Sequence, residues 1–245
     1  MLNRQKGLSL VELMVALAIG LLITAAVVQL FITNRQTFNL QQGVASVLEQ
    51  GQFAVDFLSR EMMSAGYGNV PNAFVLGAPI DGGQSTDGNR YDSVRIMLDS
   101  GDDCAGGELD EDHVPEPWKH YSVVVQDDGN GILMCQDSDG NNNPLIDNVE
   151  AFQVLYGIGV PGSVTPNYYA SATTVNSSNI VSVRLGILIA SNGVASHAGL
   201  GEGAITVLDR TYDFADESDG AIAFDDGRIR RLFVSTVAMR NLAGE

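Results

Sequence analysis

Cations are scarce in this sequence. Across 245 residues, thirteen lysines and arginines stand against thirty aspartates and glutamates, a formal net charge of -17 at pH 7. Such a surface repels phosphate backbones, so no direct nucleic-acid binding is expected. There are two cysteines, Cys104 and Cys135, and three histidines. Neither a C-x-x-C nor an H-x-x-x-H pair occurs, and Cys104 and Cys135 with His113 and His120 match no familiar zinc spacing. The sequence also lacks G-x-S-x-G and H-E-x-x-H, and His197 stands without a nucleophile pattern. Its carboxylates read as a solvated acidic face, and no enzymatic activity is expected. Tryptophan occurs once, at Trp118, and no proline precedes Pro71, so nothing forces a break in an early helix.

What is present starts at the amino terminus. Leu8 to Thr33 is an apolar run whose only charge is Glu12, long enough to cross a bilayer core of ~30 Å as a helix. Before it, Met1 to Gly7 carries Arg4 and Lys6, which predicts a cytoplasmic leader and an outside location for everything after Thr33. No A-x-A-like site follows the run, as an ordinary secretory signal would require. An ionised Glu12 in hydrocarbon costs about 2.5 to 3.5 kcal/mol on insertion scales. Snorkelling to the interface is the simplest relief.

From Asn34 to Ala65 the chain is polar, with Phe38, Val44, Val47, Leu48, Val55, Leu58 and Met62 recurring as one stripe of an amphipathic helix. Gly20, Gly43 and Gly51 each lower helicity by about 1 kcal/mol relative to Ala. Two arrangements stay open: one continuous helix of roughly 85 Å, or an anchor followed by a separate short helix.

After Gly66 short β-rich runs alternate with Gly, Asn, Asp and Ser clusters. The runs are Ser93 to Leu98, Tyr121 to Gln126, Gly131 to Cys135, Ala151 to Tyr156, Val181 to Ala190 and Leu232 to Met239. Asp127 to Gly131 is a hairpin signal. The expected fold is α+β: a long amino-terminal helix whose second half packs on an antiparallel sheet. Gly157 to Gly162 fits G-x-G-x-x-G, but no helix follows, so a turn is the better reading. Asp137, Asp139, Asn141 and Asn143 present alternate oxygens like the start of a calcium loop, although Asn142 and Asn148 depart from it. A solvated Asp/Asn/Gly turn is the preferred reading, with calcium binding as the alternative. In an oxidising compartment Cys104 and Cys135 would pair, for about 3 to 4 kcal/mol of stabilisation.

The order Lys6-Gly7-Leu8-Ser9-Leu10-Val11-Glu12-Leu13 resembles the prepilin peptidase site of type IV pilins and of type II secretion pseudopilins. That resemblance implies cleavage between Gly7 and Leu8 and N-methylation of Leu8, which stands where those families more often have Phe. It also implies that Glu12 meets the cationic amine of a neighbouring subunit's first residue during assembly. Small residues such as Ala16, Gly20, Ala25 and Ala26 would permit close helix approach. In the head, Asn148 to Gly157, Ser182 to Leu188 and Val237 to Asn241 resemble the PilW family of minor pilins. A J-type pseudopilin would bring tryptophan-rich head segments, which are missing.

The resemblance implies residues 1–7 as a cleaved leader, 8–33 as the membrane and assembly helix, 34–66 as its amphipathic continuation and 67–245 as an extracytoplasmic head. The expected function is a minor pilin of a type IV pilus, in assembly or priming, with any role in DNA uptake indirect. Its implied partners are other minor and major pilins, the prepilin peptidase and the inner-membrane assembly platform. Its implied location is the bacterial inner membrane, single-pass, and then the pilus. A type II secretion pseudopilin and a membrane-tethered extracytoplasmic binding module or hydrolase are the alternatives.

Overall fold

In the computed structural model the described residues are 9–67, 74–75, 91–98, 101–107, 117–126, 129–160, 163–172, 175, 179–194, 204–213, 226–239 and 241. A single helix, α1 (Leu10–Ser64), runs for 55 residues without a break. Of the two arrangements left open by the sequence, it is the continuous one. Its three glycines are tolerated because no proline interrupts the hydrogen-bond ladder. The hydroxyls of Thr24, Thr33 and Thr37 donate to carbonyls four residues back, so they are satisfied without water. The helix stops where Ala65 turns extended (ψ 133) and Gly66 takes a positive φ of 73 that glycine adopts without strain.

Burial divides α1 in two. Large apolar side chains from Leu10 to Ile32 are all exposed. Burial begins at Val47 and continues at Gly51, Ala54, Leu58 and Met62, the three-to-four spacing of one helix face. Phe38, which the periodicity assigns to that stripe, is 64% exposed and outside the packed face.

The head holds two antiparallel sheets and a hairpin where one sheet was expected. The first sheet contains β1 (Phe74–Val75), β2 (Val94–Met97), β3 (Trp118–Val125), β4 (Gly131–Asp137) and β5 (Asn142–Ile146), paired in that order. In the second, β6 (Val149–Ile158), β7 (Tyr168–Ala170), β8 (Ile180–Ala190) and β11 (Arg230–Ala238) are ordered β11-β8-β6-β7. β9 (Ala204–Val207) and β10 (Arg210–Asp213) form the hairpin, turning through Leu208 at φ 58. The division falls at Asn148, whose positive φ of 58 redirects the chain between β5 and β6.

All six sequence-predicted strands are present. Those not foreseen are short, or, like β5, contain a proline that fits only a sheet edge. The expected turn after β3 is a hairpin with Val125 opposite Gly131; Asp127 and Asp128 lie outside the described residues.

The buried face of α1 lies against β11 and β8. Leu58 and Met62 share one core with Ile96, Tyr121, Leu133, Phe152, Tyr156, Leu185 and Ile187. Each such side chain contributes about 1.5 to 3 kcal/mol by leaving water. A second, smaller core of Ala151, Leu188, Val207 and Tyr212 lies under the hairpin. β6 and β8 are therefore buried on both faces, and their sequences read as nearly continuous apolar runs. At Gly51 helix and sheet come so close that an added Cβ would overlap the Phe233 ring.

Candidate assembly surface

Ser9 begins the helix in an extended conformation (φ -74, ψ 151), and its hydroxyl accepts from the Glu12 amide at 3.2 Å. Ser9 and Glu12 thus stand at the N-cap and N3 positions of an S-x-x-E capping pattern. This local role went unread in the sequence, although the spacing showed it. The carboxylate also lies in the first turn, where it complements the positive end of the helix dipole. Glu12 is exposed, surrounded along the helix by exposed Leu10, Val11, Leu13 and Met14. Gly7 and Leu8 lie outside the described residues. Ala16, Gly20, Ala25 and Ala26 are exposed, and nothing stands within 4 Å of a Cβ built on Gly20. The result is an uncovered apolar rod with one charge near its start, projecting from a packed head.

At the other end of α1, Glu61 lies in the last turn, which holds no basic residue; there the helix dipole disfavours an acid. Lys119 Nζ reaches Glu61 Oε2 at 3.0 Å, and the Tyr121 hydroxyl donates to the same oxygen at 2.5 Å. Burial, reinforced by the Glu61 charge, pushes the Tyr121 phenol far up and keeps it protonated. The Asn241 amide donates to the carbonyls of Met63 (3.0 Å) and Ala65 (3.3 Å), satisfying groups that the helix end leaves open. The Val237-to-Asn241 ending therefore holds the helix terminus.

Asn148 and Glu150, from the other head motif, organise a buried cation network. Arg230 donates to Glu150 at 2.7 and 3.0 Å and to Asp226 at 3.0 and 2.8 Å. Arg228 reaches Asn148 Oδ1 at 2.7 Å and Asn130 Oδ1 at 3.1 Å, while the Asn148 amide donates to Asn192. Burial raises Glu150 despite the pull of Arg230 and Arg228. Burial would also raise Asp226, but the Arg230 hydrogen bonds and the Arg228 amide hold it below the usual carboxylate range. These pairings join β6 to β11 across 80 residues of chain.

Cys104 and Cys135 are disulfide-bonded, with Cα atoms 5.8 Å apart. Around them gather three of the four calcium candidates. The Asp137 carboxylate accepts from the amides of Cys104 (2.8 Å), Asp139 (3.1 Å) and Asn141 (2.9 Å), and from the Asn141 side chain (3.0 Å). Burial pushes Asp137 up, yet those donors outweigh it and hold its pKa low. Asn143 turns its amide to the Cys104 carbonyl at 2.7 Å, and Asp139 is exposed. N–H donors thus occupy both Asp137 oxygens, and among the described residues no group of three His, Cys, Asp or Glu side chains could hold a metal ion. The arrangement ties the disulfide loop to a turn.

His120 is fully buried, and its ring nitrogens make no hydrogen bond of good geometry; the Gln136 side chain, opposite it on β4, gives only weak support to the charged form. Burial, with the Arg95 charge beside it, lowers its pKa to about 4. His113, His197, Pro161 and Gly162 lie outside the described residues.

A spine of this length carrying an antiparallel head, with the apolar half free, defines a type IV pilin-like protein. A solved structure of the same architecture is a type IV-like pilin from Thermus thermophilus, similar with a TM-score of 0.50 and 21% identity, over 80% of this chain and 96% of that one. No curated protein sequence matches. The prokaryotic N-terminal methylation motif matches residues 2–28, and the family described as type IV pilus-assembly protein W matches residues 120–241. Together, the two family matches and the shared fold support a type IV pilus minor pilin of the PilW family. Family and fold are those of structural, non-enzymatic proteins.

Proposed function

We propose that this minor pilin acts in the assembly or priming of a type IV pilus, entering the filament through the free half of α1. The observation that carries this reading is the exposure of every large apolar side chain from Leu10 to Ile32 on a helix whose other half is packed. So large an apolar surface needs a cover: lipid before assembly, and other pilin helices afterwards. In this reading residues 1–7 are a cytoplasmic leader, residues 8–33 cross the inner membrane, 34–66 continue the helix, and 67–245 form the periplasmic head. The disulfide suits an oxidising periplasm.

The prepilin peptidase cuts between Gly7 and Leu8, and Leu8 is N-methylated. Its amine stays cationic and pairs with Glu12 of an adjacent subunit, so that neither charge is left alone in hydrocarbon. Before that pairing, the positive end of the helix dipole supports the Glu12 carboxylate. The partners are other minor and major pilins, the peptidase and the inner-membrane assembly platform.

The test is intact-mass measurement of the membrane-extracted protein, for which we expect loss of Met1 to Gly7, gain of one methyl and an oxidised cysteine pair. Glu12→Ala should reduce surface pili strongly while leaving leader removal intact; normal pilus numbers and retraction would remove Glu12 from assembly. Deletion should abolish pili and spare secreted enzymes, and the opposite result would assign the protein to a secretion pseudopilus.

A further inference from the structure

We propose that Phe31, Arg35 and Phe38, flanked by Asn34 and Asn39, form a phospholipid-headgroup site that fixes the depth of α1 in the membrane before assembly. The inference rests on the reading of α1 as a membrane anchor and names the ligand at its outer boundary. Between Lys6 and Arg60, Arg35 is the single cation of the sequence, and from Ser9 to Leu48 Glu12 and Arg35 are the only charged residues. The stretch between them, Leu13 to Asn34, is uncharged and helical without interruption. At 1.5 Å per residue the two charges stand roughly 34 Å apart along the axis, against an apolar core of ~30 Å. One charge therefore falls at each boundary, Glu12 inside and Arg35 outside.

The outer boundary has the chemistry of a site. The Arg35 guanidinium sits over the Phe31 ring, 5.0 Å from its centroid. Phe31, Arg35 and Phe38 follow one another at i, i+4 and i+7, hence on one face. With Asn34 and Asn39 they line a single concavity on the helix surface. The two rings are 58% and 64% exposed, and aromatic rings settle at headgroup level. A guanidinium fork matches two oxygens of a phosphodiester, and the asparagine amides supply further donors. The occupant follows from charge: a chain of net charge -17 is repelled by an anionic membrane, and Arg35 supplies attraction at the depth where the phosphates lie.

The full chain would be reconstituted into mixed phosphatidylcholine and phosphatidylglycerol vesicles, carrying Trp118→Phe and a Phe31→Trp reporter. Lipids brominated near the glycerol or at mid-chain report the depth of the indole. We expect shallow quenching to dominate. Arg35→Gln should remove that dominance and lower the preference for phosphatidylglycerol over phosphatidylcholine about fivefold, the factor for ~1 kcal/mol per cation at an anionic surface. Arg35→Lys should fall between, with helix content by circular dichroism unchanged throughout. Depth and preference that ignore residue 35 overturn the proposal; if pili are nonetheless lost in Arg35→Gln, the notch serves a neighbouring subunit instead. No quenching by either lipid overturns it together with the membrane-anchor reading, a result distinct from quenching insensitive to residue 35.

Discussion

Glu61→Gln isolates the ion pair that joins the end of α1 to the first sheet. The Gln amide oxygen can still accept from the Tyr121 hydroxyl, so the change removes charge and little else. It leaves the Lys119 ammonium, only 8% exposed at the side chain, without its counter-ion. Breaking a buried pair in this way costs 3 to 5 kcal/mol, and because Glu61 retains 17% exposure we expect about 3 kcal/mol, the lower end. Loss of an unfavourable acid at the helix carboxyl end returns only a few tenths of a kcal/mol. The double variant Glu61→Gln/Lys119→Met should recover about 2 kcal/mol, since no buried charge then remains. Trp118, adjacent to Lys119 and stacked 4.2 Å beneath Arg95, reports unfolding by fluorescence in the detergent-solubilised full chain. A single variant within about 0.5 kcal/mol of wild type, or a double variant equal to the sum of the singles, would refute the argument.

Gly51→Ala gains about 1 kcal/mol of helix propensity but drives a methyl into the Phe233 ring, so a net loss of about 1 kcal/mol is expected, whereas Gly20→Ala, with open space, should raise helix stability; denaturation midpoints and helix content separate the two. Reduction of Cys104–Cys135, which closes a separation of 31 residues, should lower stability by about 3 to 4 kcal/mol and loosen residues 101–107 first, as read by hydrogen exchange. His120 is neutral in the fold down to about pH 4 but protonates near 6.5 when unfolded. Its contribution is therefore complete above pH ~6.5 and lost as pH falls toward 4, on the order of 2 to 3 kcal/mol. Unfolding midpoints across that range should slope for wild type and flatten for His120→Asn.

Legibility followed the range of the interactions. The helix was readable because its determinants are local: an apolar run, a recurring stripe and no proline. Val47, Leu58 and Met62 pack as their spacing predicts. Phe38 shares that spacing yet is exposed, because periodicity marks a face without saying where the head ends. The long strands β6 and β8 were legible through their apolar β-branched content. β5 was hidden by Asn142, Asn143 and Pro144, residues that suit an edge once Gln136, Cys135 and Met134 are opposite them.

Whatever depends on neighbours in the chain was legible in the sequence alone: Arg4 and Lys6, Gly7, the apolar run and Glu12 stand in an order that needs no partner strand to be meaningful, and the N-terminal methylation motif matches across it. With only two cysteines, the disulfide needed nothing more than an oxidising side. Tertiary structure decided the rest of the head. It split the strands into two sheets, and the pairing of Glu150 with Arg230, the placing of Lys119 and Tyr121 on Glu61, and the capping of α1 by Asn241 all join residues 58 or more positions apart. Strand register and burial choose such partners, and a carboxylate's local sequence does not reveal which cation will reach it once both have left water.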